Sequence, residues 1–167
     1  MEQRTPVAFD DWVRVRSAAL QRFAYLITGD AAEAPDLVQE ALASAWPRWS
    51  ELVARGTVEA YLRRSIVNAS ISRWRKEGRR VVHEDPAALA EVTTPGADTG
   101  IGDADAAWRL CATLPPAQRA AVVLRFYEDL AFSEIGRILD CTEATARSHV
   151  HRALRSLRTR LGEMSDD

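Results

Sequence analysis

An all-α fold in two small helical domains is what this sequence predicts, on three observations. Apolar residues recur at spacings of three and four, the period of a helix with one buried face. Extended alternation of β-branched residues is missing, as are Asn-Gly and Asp-Gly hairpin signals. Finally, the stretch "VVHEDPAALAEVTTPGADTGIGDAD", residues 81–105, holds Glu84, Asp85, Glu91, Asp98, Asp103 and Asp105 with no Lys or Arg and no sustained apolar period. That is the composition of a flexible acidic linker. The expected division is a domain over 6–80, the linker over 81–105 and a second domain over 106–162, each near the lower size limit for an independent core.

The first domain opens with a helix from about Phe9 to Ile27, stopped at Thr28-Gly29, where glycine takes the left-handed conformation that closes helices. A second helix starts just before Pro35, the position at which proline costs least. Along it Leu37, Val38, Ala41, Leu42 and Ala45 form an apolar stripe and leave Asp36, Gln39 and Glu40 as a polar edge. Thr57 is placed to cap a further helix carrying Tyr61, Leu62 and Ile66 and, after a break or bend, Ile71 and Trp74. Between Arg63 and Arg80, seven basic residues face Glu77 alone, with Trp74 among them. Basic side chains interleaved with an aromatic suit a surface that holds phosphates and stacks on a base, stacking being worth about 1–3 kcal/mol per base. The same composition also suits a solvated face around a core tryptophan.

In the second domain "LPPAQRAAVVLRFYEDL" begins a helix near its two prolines. A short helix follows within Leu130 to Asp140 with Ile135, Ile138 and Leu139 inward, then a turn at Asp140-Cys141-Thr142, with Thr142 capping the last helix. On that helix Ala146, Val150, Ala153, Leu154, Leu157 and Leu161 fall on one side, and Arg147, His151, Arg155 and Arg158 nearly opposite. Short helix, tight turn and longer basic helix make a helix-turn-helix, whose second helix enters the major groove of DNA by its N-terminal part.

Other classes are poorly served. No uncharged apolar run of about 18 residues and no secretory N-terminus occur, so a cytoplasmic protein without membrane insertion is expected. Cys111 and Cys141 form no CxxC pair, and free, buried or idle thiols follow. Asp36 with Glu40 lie at i, i+4 on an exposed edge, while His149 and His151 point about 200° apart on a helix and cannot chelate one ion. No catalytic residue, no metal and no cofactor is therefore expected, and the protein is not read as an enzyme.

Three stretches in this order, "AYLITGDAAEAPDLVQEALASAW", "YLRRSIVNASISRWRKEGRR" and "LPPAQRAAVVLRFYEDLAFSEIGRILDCTEATARSHVHRALRSLR", closely resemble the extracytoplasmic-function sigma factors, promoter-specificity subunits of bacterial RNA polymerase. Size and the "TGD…DLVQEA" wording look most like an actinobacterial subgroup. The resemblance implies sigma domain 2 and sigma domain 4 as the two helical units. It implies docking of Asp36, Gln39 and Glu40 on the clamp coiled coil of core polymerase and a contact with its flap. It also implies reading of a melted −10 strand through Arg63, Asn68, Ser72, Arg73, Trp74, Arg75 and Lys76, with an amide such as Asn68 pairing on a flipped base. Duplex −35 DNA would meet Thr145, Arg147, Ser148, His149, His151 and Arg152. The linker would thread the RNA exit path, and an anti-sigma protein is a further possible partner.

Departures are Ala131 where the family often has serine, which loses the cap there or shifts it to Ser133; Pro35 in the docking helix; Asp140 in place of the turn glycine; and His149 in place of arginine. The competing reading is a dimeric two-domain helix-turn-helix regulator. It shares the DNA-binding half but leaves the basic segment around Trp74 unexplained.

Overall fold

The computed structural model describes residues 7–77 and 108–166; the acidic stretch assigned as linker lies outside the described residues. Those residues form helices and no strand. α1 (Phe9–Thr28), α2 (Glu33–Ala45), α3 (Trp49–Arg55) and α4 (Val58–Lys76) make the N-terminal half, with a 3-10 turn at Trp46–Arg48. After a helical turn at 108–111 come α5 (Pro116–Val122), which widens into a π turn at Val123–Tyr127, then α6 (Phe132–Leu139) and α7 (Glu143–Ser165).

α1 stops where expected. Gly29 has φ +68° and its N–H donates to the Tyr25 carbonyl at 2.7 Å. The next residue starts α2, because Asp30 Oδ1 accepts from the N–H groups of Ala32 and Glu33 at 2.8 and 3.2 Å. Pro35 thus falls at the third helical position, where its missing N–H has no intrahelical partner to lose. The apolar stripe of α2 is wholly buried against Phe23, Ala24 and Ile27 of α1 and Leu62 and Ile66 of α4. Removing a side chain such as fully buried Leu62 would cost about 2–5 kcal/mol.

Two expectations for α4 are corrected. It runs unbroken, with Ile66, Val67 and Ser70 buried in succession and no proline or glycine to interrupt its ladder. Thr57 precedes the helix but does not cap it with its side chain. Its backbone at φ −112°, ψ 14° is not the extended geometry that brings a hydroxyl onto the first amides, and Thr57 contributes only its carbonyl, to Tyr61 N–H.

In the C-terminal half, Ala131 starts α6 without a side-chain acceptor. The cap does not shift to Ser133, which lies inside the helix; instead Glu134 reaches back to accept from Ala131 N–H at 3.0 Å. Asp140 supplies the left-handed turn residue at φ +55°. Gly136 is needed for a different reason: a Cβ there would stand 2.7 Å from the Cys141 carbonyl oxygen. Thr142 caps α7, its hydroxyl accepting from Thr145 N–H at 3.1 Å. Ala146, Val150 and Ala153 are buried and Leu154 and Leu157 half-buried, but Leu161 is exposed. The packed part of α7 ends at Leu157, so the inward stripe is one turn shorter than its periodicity suggested.

The two halves pack against each other. One apolar core runs from α1, α2 and α4 into Ala120, Ala121, Val123, Leu124 and Ile135. Arg119, largely buried, donates to the carbonyls of Ile27 (3.2 Å) and Thr28 (2.7 Å) in one half and of Ala112 (2.8 Å) and Leu114 (3.1 Å) in its own.

Candidate polymerase and nucleic-acid interfaces

Asp36, Gln39 and Glu40 are all exposed, on the side of α2 opposite its buried stripe. Glu40 is not isolated: Arg73 of α4 donates to its carboxylate at 2.8 Å and lies 3.8 Å from Glu33. Burial pushes the Glu33 carboxyl above its usual range, and Arg73 opposes that rise. The candidate docking edge and the candidate −10 helix therefore meet at one guanidinium.

At about 100° per residue along unbroken α4, Asn68, Ser72 and Arg75 share a face, with Lys76 at its margin. All four are exposed. Tyr61 and exposed Arg64 extend the same line toward the helix start, a continuation the reading of residue types alone had not singled out although the helical period contains it. No acid lies on this line. Trp74 is exposed but points about 120° away from Asn68, so the structure does not bring the two together. Arg63 is turned about 140° from Asn68 and faces the other half, where it pairs with Glu128 at 2.7 Å, while Glu59, one turn earlier on α4 itself, lies at 3.2 Å. Arg16 joins Glu59 to complete a chain of four alternating charges.

Thr145, Ser148 and Arg152 line one side of the outer face of α7, and Arg147 and His151 the other; all are exposed. Arg155, also exposed, lies between the two rows, one turn further along. Arg147 is held in place by Glu143 at 3.4 Å and by the ring of Phe132, whose centroid lies 5.0 Å from its guanidinium. His149 differs from its neighbours. It sits half-buried toward the core side, and burial, helped by Arg152, lowers its pKa below the ordinary histidine value.

Neither cysteine is in a disulfide; Cys111 is buried, with its thiol pushed up to about 11 by burial, and Cys141 is half-buried. Among the described residues no cluster of three or more His, Cys, Asp or Glu side chains is arranged to hold a metal ion, and no helix is long and apolar enough to cross a membrane.

Known proteins reproduce both halves in this order. Residues 13–80 match the family Sigma-70 region 2 and residues 104–157 the family Sigma-70, region 4. The chain is 33% identical over 153 residues to the RNA polymerase sigma-E factor of Streptomyces coelicolor, covering 92% of this chain and 85% of that protein. It is 32% identical over 160 residues to the ECF RNA polymerase sigma factor SigM of Mycobacterium tuberculosis, covering 95% and 79%. Its fold is similar, with a TM-score of 0.72 and 27% identity over 92% of this chain and 96% of the other, to the sigma factor RpoE from Bartonella quintana, solved in complex with the anti-sigma factor NepR. Two helical halves, one ending in a helix-turn-helix, and relatives of this closeness leave no place for the dimeric regulator: the chain belongs to the extracytoplasmic-function sigma factors, which bind core RNA polymerase and promoter DNA and direct the start of transcription.

Proposed function

We propose that the chain divides this task among three surfaces. The 6–80 domain docks on the clamp coiled coil through Asp36, Gln39 and Glu40, and its α4 line from Tyr61 through Asn68 to Arg75 takes the melted −10 strand. The 106–162 domain lays the outer face of α7, with Thr145, Ser148, Arg152, Arg147, His151 and Arg155, into the −35 major groove and contacts the flap. The acidic residues of 81–105 thread the RNA exit path. The protein works in the cytoplasm, is not an enzyme, and is held inactive by an anti-sigma partner, as the RpoE neighbour is bound by NepR.

What carries this reading is the separation of charge by surface: the α4 and α7 faces are exposed and basic, whereas the α2 edge is acidic. A polyanion and a protein partner thus meet different sides of one molecule. The test is holoenzyme binding to a promoter fragment across salt concentrations. Arg152→Ala should either reduce the log–log salt slope by about 1, as loss of a phosphate contact does, or weaken binding by about 1–3 kcal/mol and relax −35 specificity, as loss of a base contact does. Unchanged binding on both counts would remove α7 from the −35 site.

A further inference from the structure

Several arginines of this fold lie beside carboxylates: Arg14 against Asp11, Arg16 and Arg63 against Glu59, and Arg73 against Glu33 and Glu40. A cleft of about 510 Å³ between α3, the first two turns of α4 and the end of α6 departs from that pattern. Arg48, Arg55, Arg64 and Arg137 line it, with Glu51 the one acid among its lining residues. That carboxylate is shared, 3.7 Å from Arg48 and 3.3 Å from Arg55. Among the described residues neither Arg64 nor Arg137 has a carboxylate within 4 Å. Like charges gathered on a concave wall repel one another and focus a positive potential outward, which an anion relieves.

The charge stands at the rim and the floor is apolar. All four arginines are exposed, whereas Leu52 and Ile138 are buried and Tyr61 is half-buried. The Tyr61 ring is held still, with the Arg48 guanidinium carbon 5.4 Å from its centroid and its hydroxyl bonded to Ser44. Thr57, at the α3–α4 turn, uses its carbonyl but not its hydroxyl in holding α4. Clefts of about 300–1,000 Å³ suit organic ligands, and a bare phosphate ion would leave most of this one empty. Guanidiniums take phosphate oxygens by paired N–H bonds, and a flat heteroaromatic ring stacks on tyrosine or arginine. A nucleoside di- or triphosphate combines the two chemistries at this size.

We propose that the cleft is a binding site for a free nucleoside polyphosphate, with its phosphates on Arg55, Arg64 and Arg137 and its base against Tyr61, Leu52 and Ile138. Because Tyr61 and Arg64 also belong to the α4 line, a bound nucleotide and the −10 strand exclude each other. The exclusion rests on the assignment of that line to the −10 strand; the site itself does not.

Calorimetric titration of the free full-length chain with GTP and with ATP tests this. At least one of them should reach saturation by about 1 mM. Arg55→Ala and Arg137→Ala, with helicity unchanged, should each weaken that binding about tenfold or more, as loss of a charge-assisted bond does, and Arg14→Ala should leave it as it was. Tripolyphosphate should bind about fivefold or more weakly for want of a stacked base. A single-stranded −10 oligonucleotide should displace the nucleotide. No saturation, or saturation that neither arginine variant changes, overturns the site. Tripolyphosphate binding as tightly as the nucleotide overturns it as well, since the cleft then selects charge alone. Nucleotide and oligonucleotide bound together would overturn the exclusion. If nucleotide binding depends on Arg137 while Asn68→Ala leaves promoter melting unaltered, the nucleotide site stands and the assignment of α4 to the −10 strand falls.

Discussion

Arg73 shows how a single side chain ties two surfaces together. Because it bonds Glu40, reversing Glu40 disturbs α4 as well as α2, whereas Asp36 has no such partner among the described residues. Asp36→Lys should weaken core binding and leave capture of a single-stranded −10 oligonucleotide by pre-formed holoenzyme intact; Glu40→Lys should impair both. Equal effects of the two variants in a competition assay would contradict the coupling. The exposed pair itself contributes less than about 1 kcal/mol to stability. His149 offers a second residue-scale test. Its folded pKa lies below its ordinary value, so the unfolded chain takes up a proton more readily. The stability it gives is therefore complete above about pH 6.5, the ordinary histidine value, and declines as pH falls through that value. Melting temperature should drop between pH 7 and 5.5, and His149→Gln should reduce that drop. An identical pH profile in the variant would show that His149 is solvated like its neighbours.

At the scale of elements, much was legible because the deciding forces are local. Gly29 and Asp140 announce left-handed turns, Thr142 announces a cap, and the stripe of α2 states which side is buried. The errors arose where composition was read without continuous geometry. Arg63, Asn68 and Trp74 are neighbours in a basic segment, yet an unbroken helix puts Arg63 and Trp74 on one side and turns Asn68 about 120–140° away from both. The π turn at Val123–Tyr127 has no periodic signature, and the exposure of Leu161 depends on where the partner helices end. Gly136 illustrates a requirement set by contact rather than by φ. Gly136→Ala would drive a methyl group into the Cys141 carbonyl, and overpacking of this kind costs about 1–3 kcal/mol. The variant should melt several degrees lower and lose −35 binding with it. An unshifted melting temperature would mean that the turn relaxes freely.

At the scale of the whole molecule, the docking of one half on the other was not readable in advance. It depends on pairs such as Arg119 with Thr28, 91 residues apart, which leave no pattern in any local window. Composition suggests two domains joined by a strap; the described halves in addition share a core. The central claim is that α4 receives a melted strand on its Asn68 face while α7 holds duplex DNA upstream. Permanganate footprinting of a promoter bound by holoenzyme tests this most directly, since it reports unpaired thymines at −10 while −35 protection is read on the same fragment. Asn68→Ala should lose most −10 reactivity and keep −35 protection, and Trp74→Ala, on a different side of α4, should do so less. Reactivity and protection falling together in Asn68→Ala, or neither changing, would contradict the account.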